Sequence, residues 1–384
     1  MKHSCQLQLP PLSLYVHIPW CVRKCPYCDF NSHVAKTEIP TDDYVKALAD
    51  DLNNDKEMAQ GRPITSIFFG GGTPSLLPNS AIASIIDMVD NTIGIDIQAE
   101  ITLEANPGTV EYHDFSALRN TGVNRLSLGV QSFNSSHLQR LGRIHSAQEA
   151  ESAINRAVAG GFSNFNIDLM HGLPQQSVPQ AISDLNRAIS LQPTHLSWYQ
   201  LTIEQNTEFY SKPPALPQED LLLDIFQQGQ QTLTDAGYKQ YEVSAYAKSS
   251  KASRHNMNYW QFGDYMAIGA GAHGKVSMPQ EQRIFRYRKT RLPKDYLAKN
   301  KRYTAHTENI ASENLTLEFM MNALRLNDGI ELSIYSERTG LKKENIMPKL
   351  KKLTAKGLLL DDQHRIIPSS LGRNFLNTLL ESFI

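Results

Sequence analysis

Three of the chain's four cysteines fall within eight positions, as Cys21-Val-Arg-Lys-Cys25-Pro-Tyr-Cys28. Thiols spaced by four and then three on a loop can wrap one inorganic cube, each thiolate holding one iron of a 4Fe-4S cluster. Such a cube keeps its fourth iron open to a small chelator with an amine and a carboxylate, and S-adenosylmethionine (SAM) has that end. One electron from the reduced cluster can then break the adjacent sulfonium bond, giving a 5′-deoxyadenosyl radical that takes hydrogen from unactivated carbon. Zinc on the same cysteines, completed by His17 or His33, is the competing chemistry, although zinc ligands usually pair as CxxC. Cys5 stands apart.

A second group of residues suits a nucleoside ligand. Gly70-Gly71-Gly72-Thr73 would let backbone amides approach the amino end of SAM, or would simply form a tight turn. Glu104 and Asp168 can accept hydrogen bonds from ribose hydroxyls, and Arg143 can pair with a carboxylate; buried ion pairing is the plainer role for all three. Tyr15 and Tyr27 flank the cysteines and could pack on an adenine ring or fill core.

What must position these groups is visible as short apolar runs at 12–18, 66–69, 100–103, 125–130, 164–169 and 195–203, which read as strands. Amphipathic segments of helical length lie between them, at 42–58, 80–91, 147–159 and 178–190. Strand and helix alternating in this way predict an α/β fold with a parallel sheet or barrel, in which ligands gather at the carboxyl ends of the strands. The chemistry falls there. The first run leads into the cysteines, the second into the glycines, the third into Glu104 and the fourth into Gln131, while the fifth carries Asp168.

After Gly237 the alternation fails. A segment rich in His, Tyr and Gly runs to Gly274, and 278–309 reads as a linker. The last part reads helix (331–339), helix (343–356), two short strands (358–361 and 365–367) and a final helix from Leu371, an order like a winged helix. The expected division is a tail over 1–10, a barrel over 11–240, a further segment and linker over 241–309, and a small winged-helix-like domain over 310–384. Lys342, Lys343, Lys349, Lys351, Lys352 and Lys356 sit on this last unit, where a solvated helix face explains them more simply than DNA does.

The 384 residues carry 38 basic and 39 acidic side chains, a net charge of -1, so no global field draws the chain to nucleic acid or anionic lipid. Neither a signal-peptide core nor an apolar run long enough to span a bilayer is present, and crowded cysteines suit a reducing compartment, so a cytoplasmic protein is expected.

The run Cys21 to Cys28 followed by Gly71-Gly72-Thr73-Pro74 resembles the radical SAM superfamily over about residues 11–240, which implies a partial (β/α)6 barrel. More narrowly, the chain is similar to the coproporphyrinogen III oxidase-like branch. There the resemblance implies SAM contacts at Tyr15, Tyr27, Gly71, Gly72, Thr73, Glu104, Gln131, Arg143 and Asp168. True oxygen-independent coproporphyrinogen oxidases have a further cysteine two residues after the third, and this chain has Phe30 in that place.

His255-Asn256-Met257-Asn258-Tyr259-Trp260 joins an imidazole to two large rings beside Arg254. Bottom-up this suits either a heme with its propionates or a hydrogen-bonded structural histidine. Together with Phe30 and the segment 262–265 it is similar, nearly end to end, to the HemW class of heme chaperones. That likeness implies heme as a ligand with His255 as its axial residue. It also implies transfer to acceptors such as respiratory enzymes, an electron donor such as a flavodoxin or ferredoxin, and docking at a membrane only through protein contacts. A homodimer stays open, as does radical decarboxylation of coproporphyrinogen III.

Overall fold

The computed structural model describes residues 6–109, 114–298 and 302–384; Cys5 lies outside them. All six sequence-read strands form, as β1 (Leu12–Ile18), β2 (Ile64–Gly71), β3 (Ile95–Ala105), β4 (Arg125–Gln131), β5 (Phe165–His171) and β6 (His195–Gln200). They pair in parallel in chain order. The reason lies in their pattern. Leu14, Val16, Ile67, Phe69, Leu126, Leu128, Ile167, Leu169, Leu196 and Trp198 alternate along the strands and are buried in one apolar core. Packed in that layer are helices α1 (Thr41–Asp55), α2 (Asn79–Thr92), α3 (Ala147–Ala159), α4 (Val178–Ser190) and α5 (Glu219–Asp235).

The intervening positions face the other way and are largely polar: Tyr15 and His17, Phe68, Glu104, Arg125 and Ser127, Asn166 and Asp168, His195 and Ser197 line a common cavity. A hydrocarbon core would carry apolar residues on this face as well; a barrel interior built to hold something polar does not.

The sheet does not close. β6 continues into an antiparallel pair, β8 (Ala245–Ala247) and then β7 (Lys239–Glu242). On its free side β1 pairs in parallel with β9 (Asp264–Ile268). From β9 the sheet runs on through β10 (His273–Met278), β11 (Arg283–Lys289) and β12 (Thr304–Asn309), all antiparallel. The full order is β12-β11-β10-β9-β1-β2-β3-β4-β5-β6-β8-β7. The stretch 278–309, read from sequence as a linker, therefore contains two strands of the main sheet. Its polarity misled because Lys289, like Lys275 just before the stretch, is buried by pairing with acids rather than by being apolar, and because β12 is an exposed edge. Lys289 Nζ reaches Asp51 Oδ1 at 2.6 Å and Asp55 Oδ2 at 2.5 Å on α1. Asp264 accepts from Arg62 at 2.8 Å and from Lys275 at 3.1 Å.

Helix α6 (Arg254–Trp260) crosses beneath the barrel, tied to β1 by Asn258 Nδ2, which donates to Ser13 Oγ at 2.9 Å. The C-terminal part contains α7 (Leu315–Ala323), β13 (Ile330–Glu331), α8 (Leu332–Thr339), α9 (Met347–Ala355) and β14 (Arg365–Ile366), with β13 and β14 antiparallel. The two helices expected first do form, but the strand pair brackets them, β13 before α8 and β14 after α9, and the strand expected over 358–361 is reduced to one isolated bridge, Leu359 to Pro368. Phe319, Met320, Tyr335, Leu350, Leu353 and Phe383 make its core, which also takes in Phe262 and Ile284 from the sheet side. The six lysines of this unit are exposed. Among the described residues no helix is long and apolar enough to cross a membrane.

Candidate functional site

The cysteine loop leaves β1 and returns on itself. A two-residue strand, Trp20–Cys21, pairs in parallel with His33–Val34, and backbone bonds from His33 N to Pro19 O (2.7 Å) and Ala35 N to Cys21 O (2.9 Å) close the neck. Asn31 anchors the loop from outside by donating to Ala270 O and to Arg291 O, both at 2.9 Å. Cys21, Cys25 and Cys28 are free thiols, each partly exposed, and they line a cavity of about 860 Å³.

Eight of the nine residues expected to contact SAM line that same cavity: Tyr27, Gly71, Gly72, Thr73, Glu104, Gln131, Arg143 and Asp168. Tyr15 lines an adjoining cavity of about 1010 Å³ that shares Gly71, Glu104 and Asp168 as a wall. The two spaces meet at the carboxyl ends of the strands.

Local reasons place each group. Gly71 has φ 113°, which side chains avoid, and a Cβ there would come within 2.5 Å of the His17 ring. At Gly72 a Cβ would meet the Trp20 carbonyl oxygen at 2.4 Å, so the strand end can run against the cysteine neck only without one. Thr73 Oγ1 donates to Cys21 Sγ at 3.6 Å. Arg143 donates through Nη2 to Gly129 O at 2.6 Å and through Nη1 to Cys25 Sγ at 3.6 Å, placing a fixed cation beside a thiol that would carry negative charge as a ligand.

The carboxylates are held differently. Asp168 accepts from Ser127 Oγ at 3.0 Å and from Asn166 Nδ2 at 2.7 Å. Glu104 accepts only a backbone bond, from Gly71 N at 3.2 Å, among the described residues. Burial, with the charge of Asp168 adding to it, pushes Glu104 up to about 8. Burial likewise pushes Asp168 up, against the pull of its hydrogen bonds. Two half-buried acids with room beside them suit a ligand that brings hydroxyl donors. Sequence reasoning missed Tyr199, whose hydroxyl donates to Gln131 Oε1 at 2.7 Å and fixes that amide; its strand position next to an apolar tryptophan carries no polar signal.

These residues fit a cluster with SAM better than they fit zinc. The three thiols open on a cavity with glycine-made clearance and two carboxyls. His17, which could complete a zinc site, already uses Nδ1 toward Tyr15 Oη (3.0 Å) and Nε2 toward Asn31 O (2.9 Å), while His33 Nε2 meets Asn31 Oδ1 at 3.3 Å. The cysteines would hold the cluster, and bound SAM would supply, on reduction, the radical chemistry of its sulfonium. Phe30, at the place of the absent fourth cysteine, is 60% exposed and lies on the wall shared by the two cavities.

His255 is not brought to the cysteines. It is 1% exposed, below the barrel layer that holds Phe68, on which its ring stacks at 5.1 Å. Nδ1 meets Ser66 Oγ at 2.9 Å and Nε2 meets Tyr259 Oη at 3.1 Å. Burial, with the charge of Arg125 adding, pushes its pKa down to about 3. Both ring nitrogens are thus engaged, and an iron could reach one only if a hydroxyl gave way.

The radical SAM superfamily description matches residues 15–185, and the HemN C-terminal domain matches residues 310–375. Over 378 residues, 98% of this chain and 99% of the other, the sequence is 52% identical to the heme chaperone HemW of Escherichia coli K12. It is 48% identical over 381 residues to HemW of Haemophilus influenzae and 31% identical over 379 residues to that of Bacillus subtilis, with 98% and 97% of this chain covered and 99% of each relative. Among solved structures, coproporphyrinogen III oxidase (HemN) from E. coli superposes with a TM-score of 0.81 at 23% identity, over 98% of this chain and 90% of that one, a likeness of fold. Identity of this extent, carried across the cysteine loop, the barrel and the C-terminal unit alike, places the chain in the HemW family of the radical SAM superfamily.

Proposed function

We propose that this protein is a heme chaperone that binds heme and hands it to acceptor hemoproteins such as respiratory enzymes. In this reading Cys21, Cys25 and Cys28 carry a 4Fe-4S cluster, and SAM occupies the adjoining cavity in exchangeable form. The observation that carries it is the end-to-end identity with proteins named heme chaperones, alongside Phe30 in this chain two residues after Cys28. Tyr27 would bound the nucleoside end, Gly71 to Thr73 the amino end, and Glu104 with Asp168 the ribose hydroxyls. An electron donor of the flavodoxin or ferredoxin type would serve the cluster in the cytoplasm, and any approach to the membrane would be through the acceptor.

The deciding experiment is an anaerobic heme titration of the cluster-loaded protein read at the Soret band. A saturable change at one heme per chain is the expected result; no change would end the chaperone reading. A second reading, oxidative decarboxylation of coproporphyrinogen III, draws on the complete set of SAM-type residues. Product formed under anaerobic reduction with SAM would establish it, whereas SAM cleavage without substrate loss would count against it.

Glu104 supplies a further prediction. Ribose hydroxyls donate to a carboxylate, so SAM binding should favour the ionised form of a group that is neutral below about pH 8 in the empty site. Affinity should therefore rise roughly tenfold per pH unit on approaching pH 8 and level off above it. Calorimetry across pH 6.5 to 9 checks this, and in Glu104→Gln the profile should lose this contribution, keeping only that of the SAM amine, with the affinity lower. The sign for stability is opposite. The folded pKa lies above the ordinary value of 4.5, so the empty folded protein holds a proton that the unfolded chain has lost, and this group's contribution to stability declines between those two pH values as pH rises.

A further inference from the structure

We propose that helix α6 is a releasable latch: the hydroxyls of Ser66 and Tyr259 hold the His255 imidazole in competition with heme iron, and heme binds when α6 leaves strands β1 to β3. This rests on the heme-chaperone reading and deepens it by naming what regulates the site.

An iron ligand needs a ring nitrogen with an available lone pair. His255 has no such nitrogen in its present seat, where Nδ1 faces Ser66 Oγ at 2.9 Å and Nε2 faces Tyr259 Oη at 3.1 Å. The ties continue inward. Ser66 lies opposite Ser13 in the register of β1 and β2, their hydroxyls meet at 2.7 Å, and Ser13 Oγ also accepts from Asn258 Nδ2. Two side chains of α6 thus close on one pair of serines. The start of the helix is held by Glu100 on β3, whose Oε1 accepts from His255 N at 3.1 Å and from Ser253 Oγ at 3.4 Å.

The two faces of the helix are held by different forces. Toward the barrel it makes these hydrogen bonds, with ring contacts from His255 to Phe68 and from Tyr259 to Tyr265. On the other face Met257 and Trp260 pack against the apolar core of the C-terminal part, and the Arg325 guanidinium lies over the Trp260 ring at 4.2 Å. Water replaces most of a broken hydrogen bond and none of an apolar contact, so the barrel face is the one that lets go.

The ends of α6 permit the movement. Ser249, Ser250 and Lys251, just before it, are exposed. Phe262, just after it, has φ 57°, a left-handed conformation that is costly for a bulky residue. Its ring is anchored on Phe319 of the C-terminal core at 5.7 Å, while its N–H donates to Tyr259 O at 2.9 Å. Unseating α6 relaxes that strain. Apparent heme affinity is then the intrinsic affinity multiplied by the open fraction. When an acceptor draws on the iron, the iron–nitrogen bond breaks and the two hydroxyls take the imidazole back, with no change of oxidation state.

The test is a ferric heme titration of the full chain, cluster-loaded, for the parent, Ser66→Ala, Tyr259→Phe and His255→Ala, with thermal melts to confirm the fold of each. Heme should bind roughly two- to tenfold more tightly in Ser66→Ala and in Tyr259→Phe, with the parental Soret position, and should be lost in His255→Ala. Binding unchanged or weakened in one of the first two would overturn the role given to that hydroxyl, and in both would overturn the latch. Hydrogen exchange gives a second readout. Amides of 254–260 should exchange faster once heme is added, while those of β1 and β2 stay protected; exchange that is unchanged or slower across α6 would overturn its release. Absence of binding in the parent would instead remove the heme reading itself.

Discussion

Replacing Cys25 with alanine is expected to abolish the brown absorbance of the anaerobically reconstituted protein and its bound iron and sulfide, while Cys5→Ala leaves all three intact. With only two thiolates left on the loop, the cube has a second unprotected iron, and clusters so held are lost to solvent and oxygen. The loop itself should survive the change. Its neck is made by backbone bonds at Pro19, Cys21, His33 and Ala35, and its outer face by Asn31, none of which involves the Cys25 side chain. Arg143 would lose one partner and keep Gly129 O. Iron and sulfide analysis beside a thermal melt separates a lost ligand from a lost fold. An equal fall of iron in both variants would contradict the assignment, and zinc without sulfide in the parent would return the loop to the other chemistry that its spacing permits.

The second large effect is one of stability. Lys289→Met should lower the free energy of unfolding by about 3–5 kcal/mol, the range for removing one member of a buried charged group. The ammonium is fully buried between Asp51, Asp55 and Thr304 Oγ1, the last at 3.1 Å. Without it two buried carboxylates face each other with only neutral donors, such as Tyr296 Oη at 2.6 Å and Gly269 N at 3.3 Å to Asp51 Oδ2. Urea denaturation measures the loss. Changing Asp51 and Asp55 to Asn in the same background should recover most of it, because the penalty comes from stranded charge rather than from missing contact. A loss of less than about 1 kcal/mol would mean that the group contributes no more than an exposed pair.

Half of the sheet was legible in the sequence and half was not, for one physical reason. β1 to β6 are covered by helices, so they read as runs such as Leu126-Ser127-Leu128 or Ile67-Phe68-Phe69 that periodicity detects. β9 to β12 bury charge by pairing it, and the acids that neutralise Lys275 and Lys289 are brought to them by folding. Thr304–Asn309, on an exposed edge, has no apolar residue except Ala305. The site divides similarly. The cysteines, the glycines, Glu104, Asp168 and Arg143 were recognisable because each is of a reactive type at a strand end or on the loop. Tyr199 and Asn166 act by orienting others, and that role exists only across strands. His255 drew attention through its aromatic neighbours, and those neighbours are what occupy it.

The position of β1 has a consequence for biosynthesis. Leu12 to Val16 lie between β2 and β9, and the second of these is encoded two thirds of the way along the chain. A ribosome releases β1 early, yet this strand acquires its other neighbour only after Ile268 has left the exit tunnel, and contacts so distant in sequence form slowly. Asn31 finds Ala270 and Arg291 later still. The nascent protein therefore carries its cysteine loop for most of translation with one side unsupported, open to the machinery that delivers iron and sulfide and equally open to oxidants.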